Sequence, residues 1–225
     1  MRQILKSRKW NAGNRMKGSI ARRPGLRFFI SLITFMAALT AAAQQTEFNV
    51  IRNGKVIGTA TATEVSTGTT NYYKVETHVT LQLLYKVSID VLLTSTYQDG
   101  LLKEAHLYKK VNGSVKTDNH LQRNTEGYLV ENIRQESSIV TEVINSSICS
   151  LYFREPVNGS TVFSEAFLRQ IPVQKVSAGS YLITLPDGKQ DIFTYRNGRC
   201  TQVKIETSFC TIVLIAQPVK NFSRL

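Results

Sequence analysis

Three histidines, His78, His106 and His120, and three cysteines, Cys149, Cys200 and Cys210, are the first places to look for chemistry in this chain. No histidine falls in a metal-ligand spacing such as His-x-x-x-His on a helix, or beside a Cys pair. His78 lies on the polar side of an alternating stretch and reads as a solvated side chain. His120 stands two residues from Asp118. That spacing suits a side-chain pair or a weak metal contact, and reads more simply as a polar cluster beside a turn. The expectation is no metal ligand and no cofactor.

Nucleophilic chemistry is equally thin. There is no Gly-x-Ser-x-Gly elbow. Gly113-Ser114, Gly159-Ser160 and Gly179-Ser180 are Gly-Ser steps in or beside turns. No base or orienting acid accompanies them, as a serine hydrolase requires. Cys149 sits next to Ser150, but Ile148 and Leu151 around it favour a packed thiol. Glu131, Glu136 and Glu142 are close in sequence. Paired-carboxylate catalysis depends on a separation in space, and solvated strand faces account for them. No glycine-rich phosphate loop occurs. The expectation is a protein with no catalytic residue, not an enzyme.

The elements that would position any site begin after a distinctive amino terminus. The first 27 residues hold nine Lys or Arg and no Asp or Glu. An apolar run from Phe28 to Ala43 follows and closes on Ala41-Ala42-Ala43. Basic region, apolar core and small-residue end read together as a secretory signal peptide, residues 1–43, cleaved near Ala43. The run of 16 residues is shorter than the roughly 20 a spanning helix needs. Arg22-Arg23 is followed by Pro24-Gly25, which argues against a twin-arginine signal, and Met16 is an alternative start. The expected location is the periplasm or cell envelope. Of 28 basic residues nine lie in this segment, which leaves 19 against 16 acidic ones, a net +3. The basic balance is therefore a targeting feature, and no nucleic-acid partner is expected.

The mature chain, 44–225, is long enough for one domain with a substantial core. Six dipeptides, Asn53-Gly54, Asp99-Gly100, Asn112-Gly113, Asn158-Gly159, Asp187-Gly188 and Asn197-Gly198, suit tight hairpin turns. Between them the sequence alternates with period two. In 72–83, Tyr73, Val75, Val79, Leu81 and Leu83 share one face, the mark of a half-buried strand. The parity continues through Tyr85, Val87, Ile89, Val91, Leu93 and Tyr97. Either the strand bends near 84–86, or the connection has an odd number of residues.

Further strands read at 46–52, 55–66, 101–111, 114–123, 127–134, 137–144, 173–177, 180–185, 190–196 and 199–217. Ser164 to Gln170 is the one helix candidate, with Ser164 as its cap. The expected fold is all-β: an antiparallel meander in a strongly curved sheet or open barrel, with at most one short helix. Two lobes, about 46–144 and 147–217, make the single domain. Cys200 and Cys210 read as lying on one strand, ten residues and about 33 Å apart, beyond disulfide reach. Cys149 paired with one of them, or three free thiols, are the alternatives.

Phe48-Asn-Val-Ile-Arg-Asn-Gly-Lys-Val-Ile-Gly58 resembles the opening of an uncharacterised family of exported Bacteroidota proteins, which begin after a signal with a strand, a turn and an Ile-Gly strand. Tyr97-Gln-Asp-Gly-Leu-Leu102, Leu151-Tyr-Phe-Arg-Glu-Pro156, Pro186-Asp-Gly188 and Tyr195-Arg-Asn-Gly198 extend the resemblance over most of the mature chain. It implies an envelope location and a β fold, and carries no catalytic residue. The expected function is a non-enzymatic envelope protein holding a lipid or other apolar small molecule inside the sheet. Its expected contacts are Tyr73, Val79, Leu81, Leu83, Val87, Ile89 and Val91, although the same alternation also describes a filled core. The alternative is an outer-membrane β-barrel, or a protein docking on an envelope partner.

Overall fold

The computed structural model describes residues 42–82, 85–134, 137–207 and 210–218. Most of the expected signal peptide, and Leu83 and Glu136, lie outside the described residues. Among the described residues the fold is all-β, with fourteen strands in one antiparallel sheet. They are β1 (Ala42–Arg52), β2 (Lys55–Thr67), β3 (Thr70–Gln82), β4 (Lys86–Gln98), β5 (Leu101–Val111), β6 (Ser114–Arg123), β7 (Tyr128–Glu131) and β8 (Ser137–Val140) in the first half. The second half holds β9 (Thr161–Ser164), β10 (Arg169–Ser177), β11 (Ser180–Thr184), β12 (Gln190–Arg196), β13 (Arg199–Glu206) and β14 (Thr211–Ala216). The strand order is β8-β7-β6-β5-β4-β3-β2-β1-β14-β13-β12-β11-β10-β9. Each half is a meander, and β1 pairs β14 to join the two lobes into one open sheet.

The turn dipeptides do what their chemistry dictates. At Asn53-Gly54 both residues have positive φ, 48° and 74°, which matches a two-residue turn to the twist of its strands. The connection between β3 and β4 spans three residues, so the odd-numbered alternative holds and Leu81 faces Val87. Gly58 meets a different demand. A Cβ there would lie 2.0 Å from the His78 carbonyl oxygen, so only glycine allows β2 and β3 this close an approach.

Three expectations need correction. The stretch 199–217 is two strands, because the chain turns between Thr207 and Cys210. Thr207 Oγ1 accepts from the Cys210 N–H at 3.1 Å and donates to its carbonyl at 2.7 Å. Cys200 therefore lies on β13 and Cys210 just before β14, and all three thiols are free. Ser164 to Gln170 makes one turn rather than a helix. The Phe167 N–H donates to Ser164 Oγ at 3.3 Å, the Leu168 N–H donates to the Ser164 carbonyl, and Leu168 takes positive φ. This turn joins β9 to β10, and β9 was not expected at all.

The core lies on one face of the sheet. Phe48, Val50, Ala60, Ala62, Tyr73 and Val75 from the first half meet Ile183, Phe193, Val203 and Leu214 from the second. Between them runs the segment 144–153, which includes a 3₁₀ turn, Cys149–Tyr152. Tyr152 packs edge-on against both Phe48 and Phe193, and Phe153 stacks on Tyr73 with ring centroids 4.9 Å apart. The plug is tied down by Tyr195, whose hydroxyl donates to the Leu151 carbonyl at 2.6 Å. Tyr195→Phe strands that buried carbonyl. A loss of about 1–2 kcal/mol is expected in urea unfolding, against little change for Tyr181→Phe, whose partner Glu155 is near the surface. Equal losses in the two variants would refute this assignment.

Candidate functional site

The residues expected to contact an apolar ligand are in this core or at its edge. Tyr73, Val79, Leu81 and Val87 are buried, and Ile89 and Val91 are half-buried and pack against the same cluster. Tyr73 is 1% exposed and boxed by Tyr97 and Phe153, with the Arg154 guanidinium over its ring. The structure thus brings the described members of the set together, as neighbours in a packed interior.

Beside them is a buried polar network that the sequence did not announce. Glu165 follows β9 and is 1% exposed. Its Oε1 accepts from the Cys149 N–H at 3.1 Å and from the Ser95 hydroxyl at 3.3 Å. Its carbonyl accepts from Asn119 Nδ2 at 2.9 Å. Burial pushes the Glu165 carboxyl above the usual carboxylate range, and the hydrogen bonds it accepts offset part of that rise. The Cys149 thiol is pushed up by burial first and by the Glu165 carboxyl second. It donates to the Leu93 carbonyl at 3.6 Å, which is the packed thiol expected from its neighbours and no place for a nucleophile. The network fastens the plug and the β9–β10 turn onto β4 and β6.

Grooves also open on the opposite, polar face of the sheet. The larger, about 450 Å³, runs over β3 to β7 and is bordered by Tyr72, Thr94, Thr96, Glu104, Gln122 and Glu131, with His106 and His120 in it. His106 on β5 stands directly across from His120 on β6. Their rings stack at 3.8 Å, 16° from parallel. Asp118 joins them: its Oδ1 lies 2.8 Å from His106 Nε2 and 3.1 Å from His120 Nε2.

A bulge creates this meeting. Val111 pairs Ser114 and Lys110 pairs Val115, but Lys109 pairs Thr117, so Lys116 is an extra residue. Had β6 kept the register of its first two pairs, with no bulge, His106 would face Asn119, and the two histidines would point to opposite sides of the sheet. The sequence reading coupled His120 to Asp118 and left His106 out, because register is invisible in spacing alone. Glu131 on β7 is the cross-strand partner of His120, whereas Glu142 is exposed elsewhere. His78 lies further along the same face, paired with Asp90.

The family model described as a domain of unknown function, DUF6134, matches residues 48–217. Among solved structures the chain is similar to a β-barrel-like protein of a domain of unknown function, DUF1849, from Brucella abortus. The two share 10% identity over 80% of this chain and 96% of that one, with a TM-score of 0.46. No curated protein matches the chain.

Proposed function

The chain belongs to the DUF6134 family of domains of unknown function, and from that premise we propose that it is an exported Bacteroidota envelope protein, not an enzyme, that binds its ligand on the polar face of the sheet. Export is supported by the basic, apolar and Ala-Ala-Ala succession of residues 1–43. The single observation that carries the binding face is the pairing of a plugged interior with an open groove. The inner surface is covered by the chain's own 144–153 segment, while the groove around His106 and His120 is lined by hydroxyls, amides and carboxylates. A ligand with polar or cationic groups fits that lining. An apolar one among Tyr73, Val79, Leu81 and Val87 would have to displace packed side chains.

The barrel alternative requires an apolar band facing outward. The outward face here carries Lys74, Glu76, His78, Asp90, Lys110 and Asp118. Docking on an envelope partner is compatible with this surface.

The test is native mass spectrometry with lipid extraction on protein expressed from the full chain and purified, without tag or detergent, from the fraction to which the cell delivers it. A polar or metal adduct in the soluble envelope fraction is the expected result. A lipid adduct would move the ligand into the interior and overturn the polar-face reading. Recovery solely in a washed membrane pellet would overturn the soluble-envelope reading in favour of a barrel or a tightly docked protein.

A further inference from the structure

We infer that His106, Asp118 and His120 form a binding site for a divalent first-row transition metal, in the class of zinc. The inference rests on the polar face being the binding face and names the chemistry of its ligand. Two imidazoles and a carboxylate are the donor set such ions prefer over Mg²⁺ or Ca²⁺, which take oxygen ligands. The three ligand atoms all lie within 4.8 Å of one another.

The distances are close to what a metal needs. Ligands about 2.0–2.1 Å from a tetrahedral Zn²⁺ stand roughly 3.3 Å apart. Asp118 Oδ1 is 2.8 Å and 3.1 Å from the two Nε2 atoms. An opening of a few tenths of an ångström at Asp118, with one imidazole turned out of the parallel stack so that both ring nitrogens face a common point, admits the ion. His106 Nε2 donates to Asp118 Oδ1, and the stacked His120 ring brings its own Nε2 within 3.1 Å of the same oxygen. A metal would replace the His106–Asp118 hydrogen bond and the close approach of His120 to the same carboxylate oxygen with bonds to a shared centre.

The scaffold keeps that geometry. His106 and His120 are held by adjacent strands in fixed register, with Asp118 two residues from His120 on the same face. Three protein ligands leave at least one position open, as in non-structural zinc sites. The open side faces the groove, since His120 is the most exposed of the three at 55%. Glu131, opposite His120 and bordering the same groove, supplies a carboxylate for an outer-shell hydrogen bond to metal-bound water. The bulge at Lys116 that brings the histidines onto one face then has a function, as bulges beside sites commonly do.

The test is titration of the tag-free full-chain product, stripped with chelator, with Zn²⁺ by calorimetry and with Co²⁺ by visible absorption. One equivalent of Zn²⁺ per chain is expected, with a Kd of about 1 μM or tighter, and Co²⁺ is expected to give the intense visible bands of a low-coordinate centre. His106→Gln, His120→Gln and Asp118→Asn should each weaken binding at least about tenfold, while His78→Gln leaves it unchanged. Unaltered circular dichroism in the variants would show that they fold. No saturable binding below about 1 mM, or binding that survives all three substitutions, overturns the metal site. An organic adduct in the native mass that is lost in Thr94→Val or Gln122→Leu, without metal binding, sinks the metal and keeps the polar-face reading. An adduct insensitive to those two variants sinks the reading as well.

Discussion

Glu165→Ala is expected to lose about 3 kcal/mol or more of stability in urea unfolding followed by circular dichroism, whereas Glu165→Gln is expected to lose about 1 kcal/mol or less. The difference follows from what the side chain does. Glu165 Oε1 accepts from the Cys149 N–H and the Ser95 hydroxyl in a site closed to water. Alanine leaves the Cys149 N–H without that acceptor, at about 1–3 kcal/mol, and opens a void where a methylene and a carboxyl group stood. Ser95 can turn to Ser147, whose hydroxyl is 3.3 Å away, so its loss is the smaller part. Because burial lifts the carboxyl above the usual carboxylate range, the form that glutamine imitates is the favoured one, and its amide oxygen keeps the acceptor role. Equal stability of the alanine and glutamine variants would show that the network fastens nothing.

The second large effect is a pH dependence centred on Asp191. This residue is on β12, is 8% exposed, and accepts the Glu206 N–H at 3.3 Å. Burial raises its carboxyl from the ordinary range to about 7, against the pull of that hydrogen bond, with Asp187 and Glu206 adding to the rise and Lys189 opposing it. An unfolded aspartate ionises near 3.9. Between those values the folded chain holds a proton that the unfolded chain has released, so stability falls as pH rises from about 4 to about 7. The full span is about 4 kcal/mol as an upper limit, from about 3 pH units at 1.36 kcal/mol each. Glu165 shifts in the same direction and steepens the same slope. Asp191→Asn should be close to wild type near pH 4 and more stable by about 2 kcal/mol or more at pH 8. Parallel unfolding midpoints for the two proteins across that range would refute the assignment.

The sequence made the hairpins legible wherever turn chemistry was written in Asn-Gly or Asp-Gly. β5, β6 and β12 end where those dipeptides and the alternation place them. It failed where a turn was built from other residues. Thr207 and Cys210 close the β13–β14 turn through a threonine hydroxyl, a device that apolar neighbours such as Ile212 and Val213 hide. β9 has four residues, and its start reads no differently from loop. Ser164 caps a turn as a helix-start signal promises, but Leu168 in positive φ ends it at once.

The two polar clusters were beyond the sequence for a different reason. His106 and His120 are brought together by the register shift of a bulge in β6, and nothing local distinguishes Lys116 from any other exposed lysine. Glu165 is buried because segments more than 45 positions away, at Ser95 and Asn119, close over it. Its identity as a charged residue in a polar stretch argued for solvent. In both cases the information is in long-range pairing, which periodicity does not carry.

The pairing of β1 with β14 has a consequence for how the molecule is made. Gln217 Nε2 donates to Asn49 Oδ1 across 168 positions of chain, while nearly every other strand finds its partner next door in sequence. Among the strand pairs, sequence separation is therefore small everywhere except at this one seam. Chain synthesis runs from the amino end, so β1 to β8 can zip up in order of emergence, and β9 to β14 can do the same later. Throughout that interval β1 stands with one flank open, beside Val50 and Ile51, ready to accept any passing strand. Closure of the seam spans the longest loop of any strand pairing in the fold and is expected to be the slow step of folding. A chaperone that shields a single apolar strand until the last one arrives would suffice to guard the whole assembly.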